Sequence, residues 1–435
     1  MKMSKKRHVH RHQDDKMYKF AHIADIHLGA QKTHELKELE FSTFEQILNK
    51  CIEENVDFIV IAGDLFHSNL PDLGIVKNAV GKLKKIHEKG IPIYVIYGSH
   101  DFSPNATSII DIIAESGLLK KIFVPEVYDD GETGKERLKL KFTVDEKTKA
   151  KLVGISGKKI GLEKEYFKML DIKSLEEEKG FKIFVFHAGL DILPRSLPIE
   201  SLHISYFPKG FDYYAGGDVH TRFCTKDFPE YGPIAYPGSP FAGYPRDLEM
   251  SASKNVKRGF CIVEFDKKVR NIKFHEIKLV KYEFLSFNAD NKSSHQVYEE
   301  ILDKIEKTDF NGKIVIIKVK GTLASGKTLD INFNEIRIRI RNKGAIHVGI
   351  TYYSLLSKEF DPIPFKGKEI SEIEKSLFRE NISNLNVLDD NLNGEKGVKL
   401  AISLMDILKQ NQKINEKKSN YSNRILKEAL KIMGV

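Results

Sequence analysis

The stretch Phe58–Ala62, Phe-Ile-Val-Ile-Ala, followed by Gly63-Asp64-Leu65-Phe66-His67, constrains the chain more than any other. An apolar, mostly β-branched run closed by glycine predicts a buried strand that turns sharply at its carboxyl end. Asp64 is thereby left where open α/β sheets bind ligands. One such aspartate reads as readily as a turn or helix-cap residue. The signature recurs, however. Residues 18–24 run into Asp25-Ile26-His27-Leu28-Gly29 and Ile93–Ile96 into Gly98-Ser99-His100-Asp101. Residues 181–186 run into His187-Ala188-Gly189, and 211–215 into Gly216-Gly217-Asp218-Val219-His220. Five strand-terminal Asp/His groups in one α/β domain predict an N/O ligand cluster suited to divalent manganese, iron or zinc. With strand geometry maintained, Asp25 and His27 would point the same way.

Between these strands, residues 41–52, 74–89 and 108–119 carry apolar residues at helical spacing, giving βαβ units. From residue 123 the pattern predicts hairpins, with strands 137–144 and 151–155 about a polar turn, then one charged helix over 163–178. The strand 259–265 closes a first domain predicted over residues 18–277. Its expected class is α/β, a sandwich of mixed sheets flanked by helices. The full 435 residues exceed what one core organises, so more than one domain is expected. Lys and Arg outnumber Asp and Glu by 70 to 61, which favours polyanionic partners. Cys51, Cys224 and Cys261 show no CxxC spacing and predict neither a disulfide framework nor a structural zinc. Residues 1–17, with His8, His10 and His12, read as a basic tail. No apolar run approaches a membrane span and no signal-peptide pattern is seen, so a cytoplasmic protein is expected.

The motif order Asp-x-His, Gly-Asp, Gly-x-His-Asp, His-x-Gly, Gly-x-x-His resembles the calcineurin-like metallophosphoesterases. Asp25 to Gly29, Gly63 to His67 and Tyr236-Pro237-Gly238-Ser239 are similar to the Mre11/SbcD nucleases of DNA double-strand-break repair, of archaeal type. The resemblance implies two manganese ions per subunit bridged by Asp64, with Asp25, His27 and His220 completing the first site. It assigns Asp64, Ser99, His187 and Asp218 to the second. The family has asparagine where Ser99 stands and histidine where Asp218 stands. A serine hydroxyl is a shorter, poorer ligand, and Asp218 adds negative charge beside an incoming phosphate, so a weakened second position is expected. His100 matches the family histidine that stabilises the transition state or protonates the leaving oxygen. Asp101 is expected to orient that imidazole or to cap the following helix. The resemblance further implies exonuclease and endonuclease activity on DNA, a homodimer through a helix such as 108–119, and a Rad50/SbcC-type ATPase partner.

Residues 278–356 predict a small α+β capping domain with a helix about Val297, Ile301 and Ile305 and a strand over 314–319. A hairpin of strands 336–341 and 346–352 is expected, turning at Asn342-Lys343-Gly344. Period-two alternation would put Arg337, Arg339 and Arg341 on one face, read either as an ordinary solvated face or as DNA-phosphate contacts. Residues 357–369, with Pro362, Pro364 and Gly367, read as a linker, and 370–435 as a helical region with a C-terminal helix-loop-helix. Leu404, Leu408, Leu426 and Leu430 lie on apolar faces that, by the resemblance, grip the ATPase. Two other functions remain open: a small-substrate phosphodiesterase or a phosphoprotein phosphatase, and a DNA-binding scaffold subunit with a weakened or inactive second metal site.

Overall fold

The computed structural model describes residues 16–103, 107–129, 131, 134, 136–157, 163–194, 201–358, 370–383, 392–413, 416 and 418–433. Residues 1–15 of the expected tail, with His8, His10 and His12, and linker residues 359–369, with Pro362, Pro364 and Gly367, lie outside them. The chain divides into two compact units at residue 360.

The first unit begins with β1 (Tyr18–Ile23), α1 (His34–Glu53), β2 (Phe58–Ala62), α2 (Leu73–Glu88), β3 (Ile93–Ile96), α3 (Ile109–Glu115) and β4 (Lys120–Lys121). A hairpin of β5 (Pro125–Asp129) and β6 (Glu136–Leu140) follows, then β7 (Thr143–Val144), β8 (Lys151–Ile155), α4 (Glu163–Met169), α5 (Ile172–Glu177) and β9 (Lys182–His187). β10 (Gly189–Leu190) pairs with β11 (Ser201–Leu202). β12 (Tyr213–Gly217), β13 (Phe223–Thr225), β14 (Ile234–Tyr236), α6 (Pro245–Lys254), β15 (Gly259–Phe265) and β16 (Val269–Glu276) complete the lobe.

Two six-stranded mixed sheets result, ordered β16-β15-β1-β2-β3-β4 and β13-β14-β12-β9-β8-β7. Phe58, Val60 and Ala62 of β2 pack with Ile183, Val185 and Tyr213 of the other sheet, while Ile59 and Ile61 pack with Phe44, Ile47 and Leu83 of α1 and α2. With both faces covered, the strand is an unbroken apolar run rather than an alternation. α4 and α5 cover the far sheet through Phe167 and Leu175, giving four layers. β1, β2 and β3 run parallel to one another, as do β9 and β12. The carboxyl ends of each set therefore share an edge, and these ends carry the five Asp/His groups.

Several local expectations are corrected. The single helix over 163–178 is two, because Asp171 caps α5 by accepting from Ser174 N. α3 stops at Glu115 rather than 119, with Gly117 at φ 79° turning the chain. Residues 137–144 are not one strand: β6 pairs with β5, and only Thr143 and Val144 pair with β8.

The second lobe of this unit is built from β17 (Lys281–Asn288), α7 (Ser294–Glu306), β18 (Lys313–Leu323), α8 (Phe333–Asn342) and β19 (His347–Ser357). The expected hairpin over 336–352 is overturned, since β17, β18 and β19 form a parallel sheet and residues 333–342 are helical. Parallel neighbours need a crossover, and α8 is that crossover. Asn332 caps it by accepting from Glu335 N at 3.0 Å, and Ile336 and Ile340, four residues apart, enter the core while Ile338 is exposed. The row of three arginines on one face therefore does not form. Arg337 and Arg341 share a helix side and Arg339 faces elsewhere. Arg339 pairs with Glu335, and Arg341 reaches Glu35 of α1 at 3.0 Å.

This lobe is seated on the first through Ile314 and Ile316 of β18, packed with Leu36, Phe241 and Leu248. Lys318 adds a 2.6 Å ion pair to Glu249 of α6. The second unit contains α9 (Ile370–Ser383), α10 (Gly394–Leu408) and α11 (Lys418–Met433), with Val398, Ile407 and Ile425 buried. Leu408 and Leu426 are 66% and 58% exposed, while Leu404 and Leu430 are half-buried. Among the described residues no helix is long and apolar enough to cross a membrane.

Candidate metal centre

Asp25, His27, Asp64 and Asp218 all sit at left-handed φ, at 52°, 52°, 51° and 82°. Strand geometry thus ends at Ile23, and the expected common direction of Asp25 and His27 does not come from a continued strand. It comes from loop pairing: Asp25 N donates to Gly63 O, and His27 N donates to Asp64 O at 2.9 Å. Non-glycine residues in this region cost free energy, and they cluster where function demands a particular side-chain direction. Two glycines permit the close approach of the loops. A Cβ on Gly98 would lie 2.1 Å from Asp64 Oδ1, and one on Gly217 would lie 2.0 Å from Ala62 O.

The strand ends bring six of the seven expected ligands, Asp25, His27, Asp64, His187, Asp218 and His220, into mutual contact. His27 Nε2 stands 3.0 Å from His220 Nε2 and 3.6 Å from Asp64 Oδ2. Two nitrogens bound to one ion at about 2.1 Å on adjacent vertices stand about 3.0 Å apart. His220 Nδ1 donates to Asp247 Oδ2 at 2.8 Å, which leaves Nε2 with its lone pair toward His27. Burial opposes a proton on His220, but Asp247 and Asp25 outweigh it and raise its pKa. Burial pulls His27 down to about 3, so this imidazole is neutral, as a metal ligand must be. Burial pushes Asp25 up to about 6, with His187 and His220 opposing it.

On the other side of Asp64, His187 Nδ1 donates to Ala62 O at 2.8 Å and turns Nε2 toward Asp64 Oδ2 at 3.3 Å and Asp218 Oδ1 at 3.8 Å. Burial opposes a proton there too, yet Asp64, Asp25 and Asp218 together hold His187 well above the usual imidazole range. Ser99, the seventh expected ligand, lines the same cavity half-buried. The cavity holds about 340 Å³ and is lined also by His100, Tyr244 and Arg246.

His100 is fixed at both ring nitrogens, with Nδ1 2.9 Å from His67 O and Nε2 2.7 Å from the Tyr244 hydroxyl. Its ring stacks on His67 at 4.7 Å. The expectation for Asp101 is corrected. It does not bond the His100 imidazole, and Ser108, not Asp101, caps α3. Its two oxygens accept from Leu65 N at 3.0 Å, Phe66 N at 2.9 Å and Gly98 N at 3.3 Å, so it ties the loop after β2 to the loop after β3. Burial and the charge of Asp64 push it up to about 7 against those donors.

Sequence reasoning missed His67, Tyr244, Asp247, Arg258 and Glu40. His67 closes the Gly63 motif, and its place beside a ligand loop was the available signal. Asp247 reads locally as the N3 residue of α6, and nothing in the sequence sets it against His220. Buried Arg258 grips the carbonyls of Asp247, His220 and Ser239. Glu40, on α1, accepts from Gly29 N at 2.7 Å and braces the loop that carries His27.

The donor set fits divalent cations. Asp25 Oδ2 and His187 Nε2 are buried polar atoms turned to the cluster that find no hydrogen-bond partner among the described residues, an unusual condition in a folded chain. Asp25 and Asp64 each spend one oxygen on a backbone N–H, from Asp218 and His100 respectively, and keep the other for the cluster. The outward N–H groups of His187 and His220 go to a carbonyl and a carboxylate, as ligating imidazoles require. Ligand atoms of Asp25, His27 and His220, and of Asp25, Asp64 and His187, lie within 4.8 Å of one another in each group.

The sequence profile of the calcineurin-like phosphoesterase family matches residues 18–227. Fold and donor cluster thus define a metal-dependent phosphoesterase of that class. The DNA double-strand break repair protein Mre11 of Methanopyrus kandleri is 28% identical over 326 residues, 72% of this chain and 67% of the relative. Mre11 of Sulfurisphaera tokodaii is 30% identical over 300 residues, 67% of this chain and 70% of the relative. Mre11 of Archaeoglobus fulgidus is 27% identical over 317 residues, 70% and 68% of the two chains. The chain belongs to the archaeal Mre11 family, and it is a metal-dependent phosphodiesterase.

Proposed function

We propose that the chain is a manganese-dependent DNA nuclease, both exonuclease and endonuclease, acting at double-strand breaks as the nuclease subunit of a complex with a Rad50/SbcC-type ATPase. The observation that carries this reading is the convergence of Asp and His donors from five strand ends on one cluster, with four of those ends lining one cavity, in a chain of the Mre11 family. Asp25, His27 and His220 would hold one ion and His187, Asp218 and Ser99 the other, with Asp64 between them. Two such cations polarise the phosphoryl oxygens and supply a hydroxide nucleophile at neutral pH.

The chain's own residues hold this chemistry in place. Asp247 and Ala62 O orient His220 and His187, and the loop pairing sets the direction of Asp25 and Asp64. His100 faces the cavity as the group for the leaving oxygen, with His67 stacked against it. Arg246, the one lysine or arginine lining the cavity among the described residues, supplies positive charge for the substrate backbone. Of the arginines of α8, Arg337 is left for phosphate contact, since Arg339 and Arg341 are paired within the unit. In the second unit the exposed Leu408 and Leu426, with the half-buried Leu404 and Leu430, form the docking face for the ATPase. Ile112 on α3, 59% exposed, is the contact for a homodimer. A cytoplasmic, chromosome-associated location follows from the substrate.

A second reading, a DNA-binding scaffold with a feeble second metal, is favoured by Ser99 and Asp218. One assay separates the two: cleavage of linear duplex and of circular single-stranded DNA with manganese, by the native chain and by Asp64→Asn. Cleavage of both by the native chain, with a loss of about 10³-fold or more in Asp64→Asn, is expected. A native chain that binds DNA without cutting it supports the scaffold, and cutting that survives Asp64→Asn overturns the bridge.

A further inference from the structure

The entry to α6 forms one wall of the cavity, and Tyr244 there is tied to the site at three points. Its backbone N donates to Asp247 Oδ2 at 3.0 Å, the same oxygen that holds His220. Its ring stacks on the His220 imidazole at 5.4 Å and 18°. Its hydroxyl lies 2.7 Å from His100 Nε2. A tyrosine that only filled space would not need its hydroxyl aimed at an imidazole. The hydroxyl also meets the one ring nitrogen that can act on substrate, because the other donates to the His67 carbonyl.

We propose that Tyr244 is a catalytic residue of the leaving-group step, its hydroxyl standing between His100 Nε2 and the leaving oxygen of a bound phosphodiester and passing the proton across. The inference rests on the phosphodiesterase reading above and on the place of His100 in it. An imidazole anchored only at Nδ1 is free to swing about that bond, whereas anchors at both nitrogens fix the ring plane. The hydroxyl can serve both protonation states of the ring: it accepts from a protonated Nε2 and donates to a neutral one. When the bond from phosphorus to the leaving oxygen breaks, that oxygen keeps the electron pair and takes the Tyr244 hydroxyl proton, while the tyrosine oxygen takes the proton from Nε2. The Tyr244 O–H then donates to the nitrogen, and solvent later restores the ring's proton. A leaving alkoxide, as in DNA, needs that proton, whereas p-nitrophenolate departs without it.

The experiment compares kcat and KM with manganese for a short oligodeoxynucleotide and for bis(p-nitrophenyl) phosphate, in the native chain and in Tyr244→Phe. The variant keeps the ring that stacks on His220 and removes only the hydroxyl. It is expected to lower the ratio of kcat on the oligonucleotide to kcat on the activated diester by about tenfold or more, with the oligonucleotide KM within about twofold. An unchanged ratio, an equal fall on both substrates, a change confined to KM, or a loss of bound manganese in the variant would each overturn the proposal. A native chain that hydrolyses neither diester overturns the phosphodiesterase reading itself, and the inference with it.

Discussion

The two halves of the metal centre are held in different ways. Around Asp25, His27 and His220 every support is internal: Asp25 and His27 are buried, Asp247 and Arg258 stand behind His220, and Glu40 braces the loop. Around His187 the imidazole is equally buried and anchored on Ala62 O, but the Asp218 side chain is 36% exposed and Ser99 is half-buried. Among the described residues neither of those two side chains is held by a hydrogen bond. Ligand strength depends on how firmly a donor is oriented as well as on its chemistry. On the proposed two-ion reading the first half would therefore be the tight one and the second the weak one, with Asp64 common to both.

Three changes break or sharpen that contrast. The largest effect is expected from Asp247→Asn, which removes the charge behind His220. Manganese affinity of the tight half should fall by about 10- to 100-fold in a calorimetric titration while the weak half keeps its own. A fall shared equally by both halves would show that Asp247 supports the fold rather than one ligand. Next, Ser99→Asn combined with Asp218→His should tighten the weak half by about tenfold, again read by titration. A loss of affinity there would mean that this chain is adapted to its own donors.

The smallest effect concerns Glu40, whose carboxyl burial raises from 4.5 to about 7 against the loop N–H groups. A carboxyl with a raised folded pKa contributes stability that is complete below its unfolded pKa and lost as pH climbs through the folded value. Glu40→Gln cannot titrate. The melting temperature of the variant relative to the native chain should therefore rise between about pH 4.5 and pH 7 and level off above. A difference that falls over this range would show that the loop donors keep Glu40 ionised.

What the sequence made legible follows the same divide between local and distant contacts. The ligand edge could be read because each donor follows directly on its own apolar run, and β2 spells out strand, glycine and Asp64 within seven residues. The supports could not, because they pair residues far apart: Asp247 lies 27 residues from His220, and Tyr244 lies 144 from His100. Asp101 was read as a partner of His100 from adjacency alone, whereas its oxygens turn inward to the backbone of Leu65 and Phe66. The alternating Ile and Arg of residues 336–341 satisfies two periods, since Ile336 and Ile340 are two apart twice over and also one helical turn apart. Tertiary structure decides between them, because β18 and β19 lie parallel and require α8 to cross. The arginine row vanished with the strand.

The claim that Asp64 joins a tight ion and a weak one is tested most directly by a calorimetric titration of the native chain with manganese. The account predicts two ions per chain in two classes, with dissociation constants at least about tenfold apart, and both classes abolished or severely weakened in Asp64→Asn. Two equivalent sites, or a single class that Asp64→Asn leaves intact, would contradict it.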